Sequence, residues 1–427
     1  MYRTLVKAIR YARLYGWRQF VREVLLRLMR KLQREAPINV RDVLKLQRLK
    51  CAPLQMFTVP RADSPRVSLV TDSINRGSLY GGVGTAIIMA ALMAEARAAR
   101  LRIITRERAV PSELHTLLEV YGISVSHDIE FAYAPMDSRS SEMDVFEDEL
   151  FITTSWWTTA ATLAAVDSQS IVYLLQEDER MFYAHGDNHL MCSRLLENKD
   201  IRFVINTRLL YDHLVSSGLA NIAARGVWFE PSFPREVFHP GARADHARRK
   251  LVFYARGNAD RNLFHFGIDV IETAISRGII DLGQWDLVLL GRDIPELRFN
   301  DGQLIPQRYE NVSWRAYAEL AGQTDVAVCL MYTPHPSYPP FDFAASGAVV
   351  ITNRFGNKQD LSAYSANILC GDLKLEAMLE TLARGMVLAL DAGRRKDNFD
   401  SQQLGVDWKH SFAPVIEYID GPARCMR

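Results

Sequence analysis

HPSYPPFDFAASGAVVITN, residues 335–353, decides the reading of this 427-residue chain. Pro336, Pro339 and Pro340 lack an N–H and fix φ, which predicts a loop at the start of the stretch. A short small-residue helix is expected from Phe341 to Ser346, stopped by Gly347, and then a strand over the apolar, β-branched run Val349–Thr352. Loop, helix and strand in that order form the edge of a parallel α/β sheet, where helix N-terminal amides can hold a phosphate or sugar oxygen. Asp342 is the charged residue of the turn. It either caps the helix or accepts hydrogen bonds from ligand hydroxyls.

Working outward, the same alternation recurs. Strands are predicted at Val67–Thr71, Leu101–Thr105, Ile129–Tyr133, Leu150–Thr153, Ile171–Leu175, Phe203–Asn206 and Gly226–Phe229, with helical stretches between them. FEPSFPREVFHP, residues 229–240, reads as a linker. Beyond it strands are expected at Leu251–Ala255, Leu287–Leu290, Val326–Leu330, Val349–Thr352 and Ile368–Cys370, and helices at 262–276, 314–321 and 375–390. The length exceeds what one core sustains. Four segments follow: a basic helical extension and linker over 1–66, Rossmann-like domains over 67–235 and 236–400, and a tail, 401–427, that crosses back to the first domain.

Ligands in such sheets sit beyond the carboxyl ends of the strands, so the residues just after each strand are the candidates. Gly81 and Gly82 open an Ala-rich helix after the first strand and let backbone approach a ligand. Their G-G-x-G order, well separated from the strand, does not fit the dinucleotide fingerprint. Trp156 and Trp157 offer sugar-stacking rings or core, and core is expected for at least one. Gln176, Glu177, Asp178 and Glu179 form a solvated loop or an acceptor wall; a metal site would need ligands from a second segment, and none stands out. Arg256 and Arg261 flank a loop at a strand end and can clamp a diphosphate from two sides.

The net charge of +1 hides an asymmetry. Residues 1–50 carry fourteen Lys and Arg against Glu23, Glu35 and Asp42, a local +11 that leaves −10 for the rest. Trp17, Phe20, Val21, Val24, Leu25, Leu28 and Leu32 make one helical stripe, with Arg18, Arg22, Arg30 and Arg34 off it. Arginines interrupt any secretory signal core. The segment 1–34 reads either as a helix lying on an anionic membrane face or as a helix packed on protein with a solvated basic side; nucleic acid is not expected. No apolar run is long enough to span a bilayer, and five scattered cysteines without CxxC spacing suit a reducing cytoplasm.

These pieces together resemble a GT-B glycosyltransferase, two Rossmann-like domains facing across a cleft. More narrowly, TTSWWTTAATLA, YLLQEDERMFYAHGD, FEPSFPREVFHPG, FYARGNADRNLFHFG and PHPSYPPFDFAASGAVVITN resemble the WsaF-like bacterial rhamnosyltransferase family, from about Val67 to Met386. Retaining GT-B families carry a glutamate pair whose second member binds the nucleotide ribose. Asp342 stands at that second position and Pro334 at the first, so the first carboxylate is missing. The resemblance implies transfer of L-rhamnose from dTDP-L-rhamnose to a hydroxyl of a cell-surface or lipid-linked glycan, with retention and without a metal or other cofactor, in the cytoplasm or on the inner membrane face. It implies donor contacts from Arg256, Arg261, His335, Ser337, Tyr338, Asp342, Gly81 and Gly82. Acceptor contacts fall to Trp156, Trp157 and Gln176, with Asp178 and Glu179 orienting the acceptor hydroxyl. The alternatives are another nucleotide-sugar, an epimerase, and a non-catalytic sugar-binding protein.

Overall fold

The computed structural model describes residues 38–61, 64–75, 81–109, 114–125, 128–137, 142–241 and 248–421, and part of 21–29. Glycine-loop residues 76–80 and most of the basic stripe lie outside them. Two compact units emerge. The N-terminal unit holds Lys45–Val237, Thr333–His335 and, of the chain after Leu404, the described residues Gly405–Gly421. The C-terminal unit holds Phe238–Tyr332 and Pro336–Leu404 with the described residues before Lys45.

Helix α1 (Val40–Gln47), divided at Lys45 in the assignment to the units, comes before strand β1 (Met56–Val59) of the N-terminal unit. Its main elements are β2 (Arg66–Thr71), α2 (Gly82–Ala96), β3 (Arg100–Thr105), α3 (Leu114–Val120), β4 (Glu130–Tyr133), β5 (Met143–Phe146), β6 (Leu150–Thr153), α4 (Trp156–Leu163), β7 (Ile171–Leu175), α5 (Asp187–Leu196), β8 (Arg202–Asn206), α6 (Arg208–Ser216), α7 (Ala220–Arg225) and β9 (Gly226–Phe229). Seven of the strands form one parallel sheet in the order β4-β3-β2-β6-β7-β8-β9. Strands buried on both faces need continuous apolar runs, and β7, IVYLL, is wholly buried. α2 is apolar all round rather than on one stripe, because it is enclosed between β2 and a C-terminal helix.

That helix completes the unit from the far end of the chain. Phe233 N–H donates to the Gly405 carbonyl at 2.6 Å, and Ser232 and Ser411 share a hydroxyl hydrogen bond. Beyond it Trp408 and Phe412 stack at 5.5 Å, and Phe412 meets Phe229 of β9 at 4.5 Å. Near the amino ends of β2 and β3 sits a buried ion cluster. Glu149, 1% exposed, accepts from Arg66 Nε at 3.0 Å, from Arg102 Nη2 at 2.5 Å and from the Ser68 hydroxyl. Such a cluster is tolerated because every member is paired; losing one partner strands a buried charge.

The C-terminal unit repeats the plan with β10 (Arg249–Arg256), α8 (Phe264–Ser276), β11 (Trp285–Arg292), β12 (Gln307–Glu310), α9 (Trp314–Gly322), β13 (Val326–Val328), α10 (Tyr338–Ala345), β14 (Val349–Asn353), β15 (Ile368–Gly371), α11 (Leu375–Leu390) and α12 (Ala392–Asp400). α13 (Trp408–Asp420) is the helix that returns to the N-terminal unit. The sheet order is β12-β11-β10-β13-β14-β15, all parallel. Both sheets are therefore doubly wound with a switch point, at β2/β6 in one and β10/β13 in the other.

The structure corrects three local expectations. α10 starts at Tyr338, not Phe341, and takes Pro339 and Pro340 into its first turn, where the missing N–H groups had no intrahelical partner to lose. The short parallel pair β1–β5 and the polar edge strand β12 were not foreseen. The Ala-rich helix after the glycine loop ends at Ala96, and the chain then turns through Ala98 at φ 48°.

Candidate functional site

In the C-terminal unit the switch point gathers the loop after β10 and the loop after β13. Arg256 is the last residue of β10, half-buried beside the Tyr254 hydroxyl, and Arg261 lies on the loop that follows. The two loops are tied together: Tyr332 N–H donates to the Arg261 carbonyl at 2.7 Å, and the Asn262 amide reaches the Leu330 carbonyl. The sheet end is thus braced where the guanidiniums stand.

Asp342 does not cap α10. The cap position is Ser337, whose φ of 72° is costly for a residue with a side chain and is held by its surroundings. Asp342 lies a turn further in, 8% exposed, and accepts from the Tyr317 hydroxyl of α9 at 2.8 Å. Burial pushes its carboxyl up to about 7, against the pull of that hydroxyl. Pro339 and Pro340 have no N–H, so of the first three residues of α10 only Tyr338 carries a backbone donor.

In the N-terminal unit Gly81 caps α2 at φ 68°, and the Gln176 amide donates to the Gly82 carbonyl at 2.5 Å. A Cβ on Gly82 would stand 3.1 Å from Gln176 Nε2, so the glycine lets these two candidates meet. Trp156 is core, 5% exposed, with its indole N–H on the Tyr183 hydroxyl at 2.9 Å. Trp157 is half-buried and donates to both oxygens of Asp72, at 2.8 and 2.9 Å. Trp156 is thus the core member of the pair, as expected for at least one of the two, and Trp157 stays partly exposed with the Lys50 ammonium over its ring.

Asp178 and Glu179 are corrected too. Asp178 is consumed by Arg180, whose Nε and Nη2 donate at 2.8 and 2.6 Å, and by His213 Nε2 at 3.3 Å. These partners hold its carboxyl down to about 2 in spite of burial. Glu179 is 4% exposed and accepts the Trp156 backbone N–H at 2.9 Å. Burial pushes its carboxyl up to about 8, so it is largely neutral at pH 7. Both carboxyl groups are taken up by groups of the unit itself.

Glu177 is held differently. Thr333–His335 belong to this unit, and there His335 Nδ1 lies 3.1 Å from Glu177 Oε1, with the Thr333 hydroxyl at 3.4 Å. The ring N–H donates to the carboxylate, which fixes the imidazole plane. Glu177 Oε2 is buried without a hydrogen bond, an expensive state for a carboxylate oxygen unless a ligand uses it. Among the described residues no group of three or more His, Cys, Asp or Glu is placed to hold a metal ion. None of the described helices is long and apolar enough to cross a membrane.

The buried Glu179 carboxyl couples the stability of the fold to pH. A carboxyl whose folded pKa is raised stabilises below its unfolded value, near 4.3, and that contribution is lost as pH rises through about 8. Glu179→Gln is therefore expected to raise the melting temperature at pH 8.5, by on the order of a few kcal/mol of stability, and to change little at pH 5. Thermal unfolding of both proteins across that range checks it; a gain of equal size at pH 5 would contradict the burial account.

Two doubly wound sheets, with arginines and a buried carboxylate at a switch point, are the parts of a GT-B glycosyltransferase. Anabaena HepE, in a structure with UDP and glucose, has the same fold at 12% identity and a TM-score of 0.58, covering 83% of this chain and 99% of HepE. An α,α-trehalose-phosphate synthase from Burkholderia vietnamiensis aligns at 11% identity and a TM-score of 0.57, over 84% of this chain and 98% of its own. The chain belongs to the WsaF family: residues 66–208 match the WsaF N-terminal domain and residues 249–383 the WsaF C-terminal domain. The O-antigen biosynthesis protein RfbC of Myxococcus xanthus is 27% identical over 230 residues, which is 52% of this chain and 17% of that relative.

Proposed function

We propose that the chain transfers L-rhamnose from dTDP-L-rhamnose to a hydroxyl of a cell-surface or lipid-linked glycan, retaining the donor's anomeric configuration. The match to both WsaF domains carries this reading. The O-antigen role named for the Myxococcus relative supports the glycan class. A nucleotide-sugar donor places the reaction on the cytoplasmic side.

Negative charge grows on the departing diphosphate in the transition state. Arg256 and Arg261, with the Ser337 and Tyr338 amides, supply the fixed positive field for it, and Asp342 accepts from the ribose. The backbone at Gly81 and Gly82 approaches the donor phosphates, a role that needs no side chain. Front-face attack needs no enzymic nucleophile and no metal. Glu177, steadied by His335, orients the acceptor hydroxyl through its unbonded oxygen, with Gln176 and the exposed part of Trp157 beside it.

Incubation with dTDP-L-rhamnose and a soluble rhamnose-terminated glycan tests the reading. Release of dTDP that depends on acceptor is expected, and Glu177→Gln should lower kcat while leaving the donor KM unchanged. Faster turnover of UDP-glucose would reassign the donor. Conversion of donor without acceptor would indicate an epimerase, and nucleotide binding without turnover a sugar-binding protein.

A further inference from the structure

The described residues of the basic extension leave apolar side chains bare. Val21, Leu25, Leu28 and Met29 are about half exposed, with Arg22 exposed among them. α1 repeats the pattern: Val40, Val43, Leu44 and Leu46 are 71%, 49%, 46% and 67% exposed, and none of the helix is buried. On the helical wheel these four share one arc, while Arg41, Asp42 and Lys45 occupy the other. A helix that kept its apolar residues only to pack on its own chain would cover them.

We infer that α1, with the described residues Val21, Leu25, Leu28 and Met29, docks on a lipid bilayer with acidic headgroups. The local charge of +11 over residues 1–50 complements such a surface and repels a second copy of itself. The bare aliphatic side chains enter the headgroup boundary, and Arg22, Arg41, Lys45 and Arg48, all exposed, stay at headgroup level. α1 is not a loose tail. Gln47 Nε2 donates to Asn188 Oδ1 at 3.0 Å, and the Lys50 ammonium lies 4.8 Å over the Trp157 ring, so the helix end is fastened to the N-terminal unit. The surface goes beyond the transferase reading and stands without it.

Flotation of the full chain with phosphatidylcholine vesicles, with and without about 30% phosphatidylglycerol, tests the inference. The chain is expected to float with the acidic vesicles only and to be released as added salt screens the attraction. The double variant Val43→Glu, Leu44→Glu should lose at least about tenfold in partition. Because both positions are exposed, its melting temperature and its transfer to a soluble acceptor should not change. Equal flotation of the double variant, or equal binding to neutral vesicles, overturns the inference. So does a concentration-dependent dimer that the double variant abolishes, which would assign the surface to a second copy.

Discussion

Arg256→Ala is expected to lower kcat/KM for the donor by roughly a hundredfold to a thousandfold. The residue ends β10 at the switch point, half-buried, so its charge acts through a medium much less screening than bulk water. Developing charge on the diphosphate is what it would meet, so most of the loss should appear in kcat. Arg256→Lys should recover only part, because an ammonium cannot present the planar fork that grips two phosphate oxygens. Steady-state kinetics with dTDP-L-rhamnose measure all three proteins. Unchanged turnover in Arg256→Ala would remove the diphosphate from this loop altogether.

The second large effect concerns Asp342. With its carboxyl raised to about 7 by burial, the ligand-free protein holds it about half protonated near neutral pH. Ribose hydroxyls donate to the ionised form and so favour it. Donor affinity should therefore weaken about tenfold per pH unit below 7 and level off above it. The nucleotide sugar is the right probe, since its diphosphate has no terminal oxygen titrating in this range. Asp342→Asn should flatten the pH profile, and Asp342→Ala should cost about tenfold to a hundredfold in affinity at pH 8, the worth of a hydrogen bond to a charged group. Calorimetric titration from pH 6 to pH 8 decides it. A wild-type profile as flat as that of Asp342→Asn would take the ribose away from this carboxylate.

How much of this was legible in the residues differs between fold and site. Buried parallel strands must be apolar throughout, so Ile171–Leu175 and Val349–Asn353 announce themselves as short runs. Gln307–Glu310 does not, because an edge strand is half wet and QRYE has no apolar run. Met56–Val59 pairs with Met143–Phe146, a partner far along the chain, and neither is long enough to signal alone.

At the site, strand ends pointed to Arg256 and the acid run, since geometry fixes where strand ends go. What the acids do there depends on neighbours from elsewhere. Arg180 and His213 take up Asp178, and a backbone amide takes up Glu179. Glu177 is met by His335, far along the chain. Tyr317 was missed for a related reason: within WRAYAELAG a tyrosine facing a carboxylate reads the same as one facing core.

The return of α13 to β9 has a bearing on biogenesis. Phe229 finds its aromatic neighbours only when Trp408 and Phe412 have left the ribosome, after the whole C-terminal unit has been made. Until then the flank of the earlier sheet at β9 lacks the helix that covers it. The first unit of the polypeptide can therefore be completed only once the second has been synthesised.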